Sequence, residues 1–213
     1  LHQGLKLDST VLISSDLPAK KIYSSSVLTN EISVEVWIAP ENFSDISAKP
    51  IISFANSPDS SNLIFFQEFN KSNLRLRTSA TSANGTSHFS DENIQNGSPY
   101  HIVYCKSDSG NVKIYINGVK DNELSIVGDF SNWDSTYSFS LGNYMSQTSQ
   151  WRGTIFQIAI YDRDLSQSEI LNNYNYGLPG ITDLTAPSAL STTIINENDV
   201  RLDWIDSSIT EEG

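Results

Sequence analysis

With one cysteine, Cys105, in 213 residues, the chain can form no intrachain disulfide, so its framework has to be held by core packing. Positive charge is also scarce. Thirteen Lys and Arg against 25 Asp and Glu leave a formal charge of -12, which repels phosphate backbones and speaks against nucleic acid or an anionic membrane as partner. No stretch of about 18 apolar residues is present to cross a bilayer. The first residues lack the basic-then-apolar layout of a secretion signal, so the chain is expected to be a mature or excised portion of a longer protein. Helical periodicity is nearly missing as well. His2, His88 and His101 are dispersed, with neither a zinc spacing nor a serine or cysteine nucleophile motif beside them.

What the chain does have is strand composition: nine Tyr, nine Phe, four Trp and abundant Ser, Thr and Asn. Short strand-like segments separated by Ser/Asn/Gly/Pro clusters fall at Ile32 to Ile38, Pro50 to Phe54, Leu63 to Phe69, Leu74 to Thr78, His101 to Lys106, Val112 to Ile116, Ser138 to Leu141 and Thr154 to Tyr161. That many strands imply two packed antiparallel sheets. Alternation assigns Ile32, Val34, Val36 and Ile38 to the interior, and Ser33, Glu35 and Trp37 to an outer, solvated face. By the same parity Arg75, Arg77, Lys113 and Tyr115 point outward. Cys105, inside an apolar run, reads as a buried, inert thiol. Asn117-Gly118 supplies the positive φ angles of a tight hairpin, with Leu124 to Val127 pairing back. Ser166 and Glu169 form a capping box for one short helix, expected across an end of the sandwich.

Composition shifts after Gly177-Leu178-Pro179-Gly180. The expected organisation is a sandwich domain over 1–180 and, over 181–213, a linker with the first strands of a second module, too short to bury its own core.

The runs Ser33-Val34-Glu35-Val36-Trp37-Ile38-Ala39-Pro40, His101-Ile102-Val103-Tyr104, Val112-Lys113-Ile114-Tyr115-Ile116-Asn117-Gly118, Leu141-Gly142-Asn143 and Ile160-Tyr161-Asp162-Arg163-Asp164-Leu165-Ser166 with Glu169-Ile170 follow in register. Together, from about residue 5 to 177, they resemble the laminin G-like (concanavalin A-like lectin/glucanase) superfamily. The resemblance implies an all-β, two-sheet antiparallel jelly roll. Phe130-Ser131-Asn132-Trp133-Asp134 further resembles a subgroup of multidomain bacterial surface proteins, which implies a secreted or cell-surface location and further domains in the parent chain. Ala186-Pro187-Ser188-Ala189-Leu190 followed by Val200-Arg201-Leu202-Asp203-Trp204 resembles the opening strands of a fibronectin type III domain.

Members of this superfamily include β-glucanases whose catalytic strand carries Glu, any residue, Asp and a second Glu. Glu31-Ile32-Ser33-Val34-Glu35 is a near match whose two carboxylates share one strand face roughly 13 Å apart along the backbone at ~3.3 Å per residue, a spacing that side chains on a bent strand could close, but Ser33 stands in place of the central Asp that positions the nucleophile. A noncatalytic recognition module that binds glycan or an extracellular protein is therefore the expectation, with a glycoside hydrolase or a plain structural spacer as the alternatives. Its candidate ligand-binding residues are the outward Trp37, Arg75, Arg77 and Tyr115 and the loop residues Trp133, Asn143, Tyr144, Trp151 and Arg152. Aromatic rings stack on sugars, and planar polar groups read hydroxyls. The competing reading plugs the sandwich ends with Trp133 and Trp151 and pairs Arg75 and Arg77 with Glu35. The resemblance also raises a rim Ca2+, with Asp129, Asp134, Asp162 and Asp164 as candidate ligands. Phe156-Gln157, where many relatives have an acidic pair, removes one ligand source, and turn and cap roles would equally account for the four Asp.

Overall fold

The protein is described from a computed structural model covering residues 4–8, 12–41, 47–147 and 149–177, together with the backbone of two strands at 188–194 and 200–205. In chain order the elements are β1 (Leu5–Leu7), β2 (Ile13–Ser14), α1 (Lys20–Thr29), β3 (Ile32–Pro40), β4 (Lys49–Ser57), β5 (Ser60–Glu68), β6 (Lys71–Leu76), β7 (Thr86–Phe89), β8 (Tyr100–Lys106), β9 (Asn111–Ile116), β10 (Val119–Ser125), β11 (Ser138–Leu141), β12 (Gly153–Tyr161), α2 (Gln167–Tyr176), β13 (Ser188–Ile194) and β14 (Val200–Ile205). Two six-stranded antiparallel sheets result, ordered β1-β12-β3-β8-β9-β10 and β2-β11-β4-β5-β6-β7. The expected jelly-roll sandwich is the observed fold. β13 and β14 pair antiparallel as a separate two-stranded ribbon. Ala186-Pro187 lies outside the described residues.

The interior follows from period-two alternation. Ile32, Val34, Val36 and Ile38 of β3, Ile102 and Tyr104 of β8 and Ile114 and Ile116 of β9 face Ile52, Phe54, Leu63, Phe65, Leu74 and Leu76 of the opposite sheet in one apolar core. Burying each such side chain stabilises the fold by about 1.5–3 kcal/mol. The Asn117-Gly118 turn has φ of 52° and 77°, as the β9–β10 hairpin demands, and Val119 pairs with Ile116 across it.

Two expectations need correction. The outer face of the β3-β8-β9 sheet is not solvated. Helix α2, begun by the expected Ser166–Glu169 capping box, lies over that face rather than across an end, and Leu165 and Ile170 join Val103, Cys105 and Tyr115 in a second apolar cluster. Helix α1 was unanticipated. Its Ile22, Tyr23 and Val27 pack on the main core, while Ser24, Ser25 and Ser26 interrupt the apolar pattern that would have announced a helix.

Candidate functional site

A jelly roll offers two outer faces, and helix α2 closes one of them. Under it Glu35 is 1 % exposed. Its Oε1 lies 2.7 Å from His101 Nε2, while Tyr161 Oη and Asn173 Nδ2 donate to Oε2 at 2.8 and 3.0 Å. Burial would raise this carboxyl, but the hydrogen bonds from His101 and Tyr161, the imidazole's charge and the Asn173 amide outweigh it and hold the group below its ordinary value. The Tyr161 phenol is pushed up to about 12 by burial and by donating to this carboxylate. Glu31 accepts from the backbone N–H groups of Asp108 and Asp164, both at 3.2 Å. Each carboxylate of the glucanase-like strand is thus engaged in holding loops and helix to the sheet.

The nine sequence-selected residues divide accordingly. Trp37 and Tyr115 do point outward, but beneath α2. Trp37 is 6 % exposed and shares a three-ring cluster with His101, centroids 4.9 Å apart, and Tyr174, stacked at 5.8 Å, the His101 and Tyr174 rings being 5.9 Å from each other. Trp133 and Trp151 are interior. Trp133 meets Phe54 edge-on and stacks on Phe130, with Nε1 donating to the Arg77 carbonyl. Trp151 is 1 % exposed and donates to Gln67 Oε1 at 2.7 Å. The Asn143 side chain organises its own loop, accepting from the N–H groups of Tyr144 and Ser149 and donating to Gln150. Arg152 is exposed, and its carbonyl accepts from the Glu41 N–H.

Arg75, Arg77 and Tyr144 remain. Arg75 and Tyr144 lie on the other outer face, that of β4-β5-β6-β7, while Arg77 follows β6, its N–H donating to the Asn62 carbonyl and its carbonyl accepting from Trp133. Cross-strand register sets Ser14, Ser140, Ser53, Ile64, Arg75 and Ser87 in one row across all six strands. Tyr144 packs there with Ala55, Ile64 and Phe66. The half-buried Arg75 guanidinium sits 5.0 Å above the Phe66 ring, with Nε donating to Ser87 Oγ and Nη1 to Asn84 Oδ1. Two of its five donors are so fixed. Ser53 Oγ and Asn73 Nδ2 on the same face are buried and without a hydrogen-bond partner. Ser53, Phe66, Asn73 and Ser87 were missed from sequence because only the strand register sets them on the face of Arg75, and Asn84 because it reaches Arg75 from the β6–β7 loop. The alternative pairing of Arg75 and Arg77 with Glu35 does not occur, since Glu35 is on the opposite sheet.

The four aspartates raised for calcium do not assemble. Asp129 accepts from Ser131 N–H and Oγ, and Asp134 accepts from Thr136 N–H and Oγ1 in the same way. Asp164 pairs with Lys113 at 2.8 Å. Among the described residues no three His, Cys, Asp or Glu side chains converge, so these residues do not fit a carboxylate-built Ca2+ site.

The fold recurs in solved structures that share little sequence with it. The native heptameric SAP-like pentraxin of Limulus polyphemus matches with a TM-score of 0.54 at 15 % identity, covering 79 % of this chain and 78 % of that one. The receptor-binding domain of botulinum neurotoxin type G gives 0.56 at 17 %, covering 82 % of this chain, which spans only 47 % of that structure. The carbohydrate-binding CBM40 domain of the Ruminococcus gnavus IT-sialidase, bound to α2,3-sialyllactose, gives 0.59 at 12 %, covering 78 % and 100 %. No curated protein is significantly similar to the chain in sequence. The laminin G family model of the concanavalin A-like lectin/glucanases superfamily matches residues 17–171, more than half of the chain, and the protein belongs to that family.

Proposed function

We propose that this protein is a noncatalytic recognition module of a secreted or cell-surface multidomain protein, which binds a glycan on the outer face of β4-β5-β6-β7. The observation that carries this reading is Arg75. Its guanidinium is held over Phe66 by Ser87 and Asn84, so a planar donor array is fixed in place before any ligand arrives. Arg75 and the nearby Arg77 are cations in a chain of net charge -12, and a fork of donors of this kind suits a sugar carboxylate or vicinal hydroxyls. Helix α2 covers the opposite face; on this one Ser53, Ile64, Phe66, Asn73 and Tyr144 are buried, and the half-buried Arg75 and Arg77 are what reach solvent. The neurotoxin and sialidase neighbours are themselves binding domains by their descriptions, which agrees with a binding role without naming this ligand. The segment carrying β13 and β14 is read as the start of a spacer module that joins the sandwich to the rest of its parent chain.

A glycan array followed by titration calorimetry of the hits tests the reading. Arg75→Ala is expected to weaken binding by about tenfold to a hundredfold, the worth of one or two charge-assisted hydrogen bonds, and Arg75→Lys to recover little of it. Unchanged affinity in Arg75→Ala, or release of reducing sugar from a polysaccharide panel, would overturn it.

A further inference from the structure

We propose a second binding site, distinct from the glycan-binding face although Ser87 borders both, in the cleft at the open edge of the sandwich between β7 and the end of β10, for a neutral small molecule with an apolar body and one hydroxyl group. The two sheets part here around a cleft of about 420 Å3, within the range that ligand pockets occupy. Leu76, Leu124, Ile126 and Val127 supply apolar walls, and Thr86 and His88 supply polarity.

His88 is the residue that does not belong to a plain scaffold. It pairs with Leu74 across β6–β7, so it stands at an inward-facing position where this fold elsewhere places aliphatic or aromatic side chains. It is 4 % exposed, and its Nε2 has no hydrogen-bond partner. An unpaired imidazole nitrogen at such a position costs free energy that a ligand hydroxyl can return. Burial also pushes the His88 pKa down, so the ring is neutral at pH 7 and offers one donor and one acceptor, the complement of a hydroxyl.

The choice of a neutral guest follows from charge. No lining residue of the cleft is ionised at pH 7, although the chain carries -12 overall. The walls are tied in place: Ile126 N–H donates to the Gly110 carbonyl at 2.8 Å, and Thr78 Oγ1 donates to the Val127 carbonyl at 2.7 Å. Val127, 75 % exposed, presents apolar surface to solvent beside the opening.

The test uses the full 213-residue chain with 2-naphthol and naphthalene, probes that differ by one hydroxyl. NMR titration is expected to show saturable shifts of the His88 ring nitrogens and of the Leu124 and Ile126 methyls, with 2-naphthol favoured by about fivefold, the worth of one net hydrogen bond. His88→Leu, which keeps bulk but removes both nitrogens, should bring the two probes to equal affinity. His88→Gln, polar and hydrogen-bonding, should retain part of the preference, and it serves if the leucine variant misfolds. Absence of saturable shifts at these residues, equal affinity of the two probes in the wild type, or a preference that persists in His88→Leu would overturn the proposal. Loss of glycan binding in Arg75→Ala would leave these readouts unchanged.

Discussion

Glu35 keeps its charge in a place where an unpaired carboxylate would be intolerable, and three donors from three separate elements make that charge tolerable. Replacing it with glutamine preserves shape but sets an amide against donors that expect an anion. Glu35→Gln is therefore expected to destabilise the protein by about 2–4 kcal/mol in urea unfolding, while glycan affinity at Arg75 stays unchanged. Full stability in this variant would remove the structural role argued for the carboxylate. Trp151 is expected to behave similarly. At 1 % exposure with its indole N–H on Gln67, Trp151→Ala should cost about 3–5 kcal/mol, and an altered ligand affinity in a variant of unchanged stability would contradict its interior role. Residue-level reading of the sequence put Glu35 and Trp37 on the outward side of β3, but it chose the interior Trp151 as a ligand contact. It could not tell an outward tryptophan that meets solvent from one that meets a helix, because Trp37 and Arg75 carry the same parity and differ only in what the distant residues 167–176 cover.

At the scale of elements, the strands were legible because alternation is local. Ser138 to Leu141, His101 to Lys106 and Val112 to Ile116 could be bounded to within a residue from apolar spacing and flanking turn residues. Helix α2 was legible from its capping box. Helix α1 was not: it has no side-chain N-cap bond, and its serines mask the apolar face that docks on the core. Pairing order was out of reach for the same reason, since β3 lies beside β12 and β8 through contacts more than 60 residues away in sequence, which no short-range signal encodes. The roof that α2 forms can be tested directly. Ser166→Ala should cost about 1 kcal/mol by removing the acceptor for the Glu169 N–H. Ile170→Ala, deleting the fully buried anchor, should cost about 2–5 kcal/mol and expose Trp37, seen as a red shift of tryptophan emission. An unshifted spectrum in a destabilised Ile170→Ala would mean that Trp37 is not covered by this helix.

For the whole molecule, pH dependence joins the buried polar groups to the net charge. The formal charge of -12 at pH 7 is relieved as pH falls toward the sequence pI near 4.5, and loss of self-repulsion alone would place maximal stability there. Two buried groups oppose that trend. The His88 pKa is lowered in the folded state, so between that value and the unfolded value of about 6.5 the unfolded chain binds more protons, and stability declines as pH drops through this window. The Glu35 pKa is lowered as well; its contribution is complete above the unfolded value of about 4.3 and is lost as pH falls through the folded one. Both therefore favour the folded state toward neutral pH. Urea unfolding across pH 3–8 is expected to give a stability maximum above pH 6 rather than near the pI. Substitution of His88 by leucine should flatten the profile below about 6.5, and substitution of Glu35 by glutamine should flatten it below about 4.3, each leaving the other limb in place. A maximum near the pI in the wild type, or acid limbs unchanged in both variants, would show that net charge and exposed carboxylates, not these buried groups, set the acid stability of the sandwich.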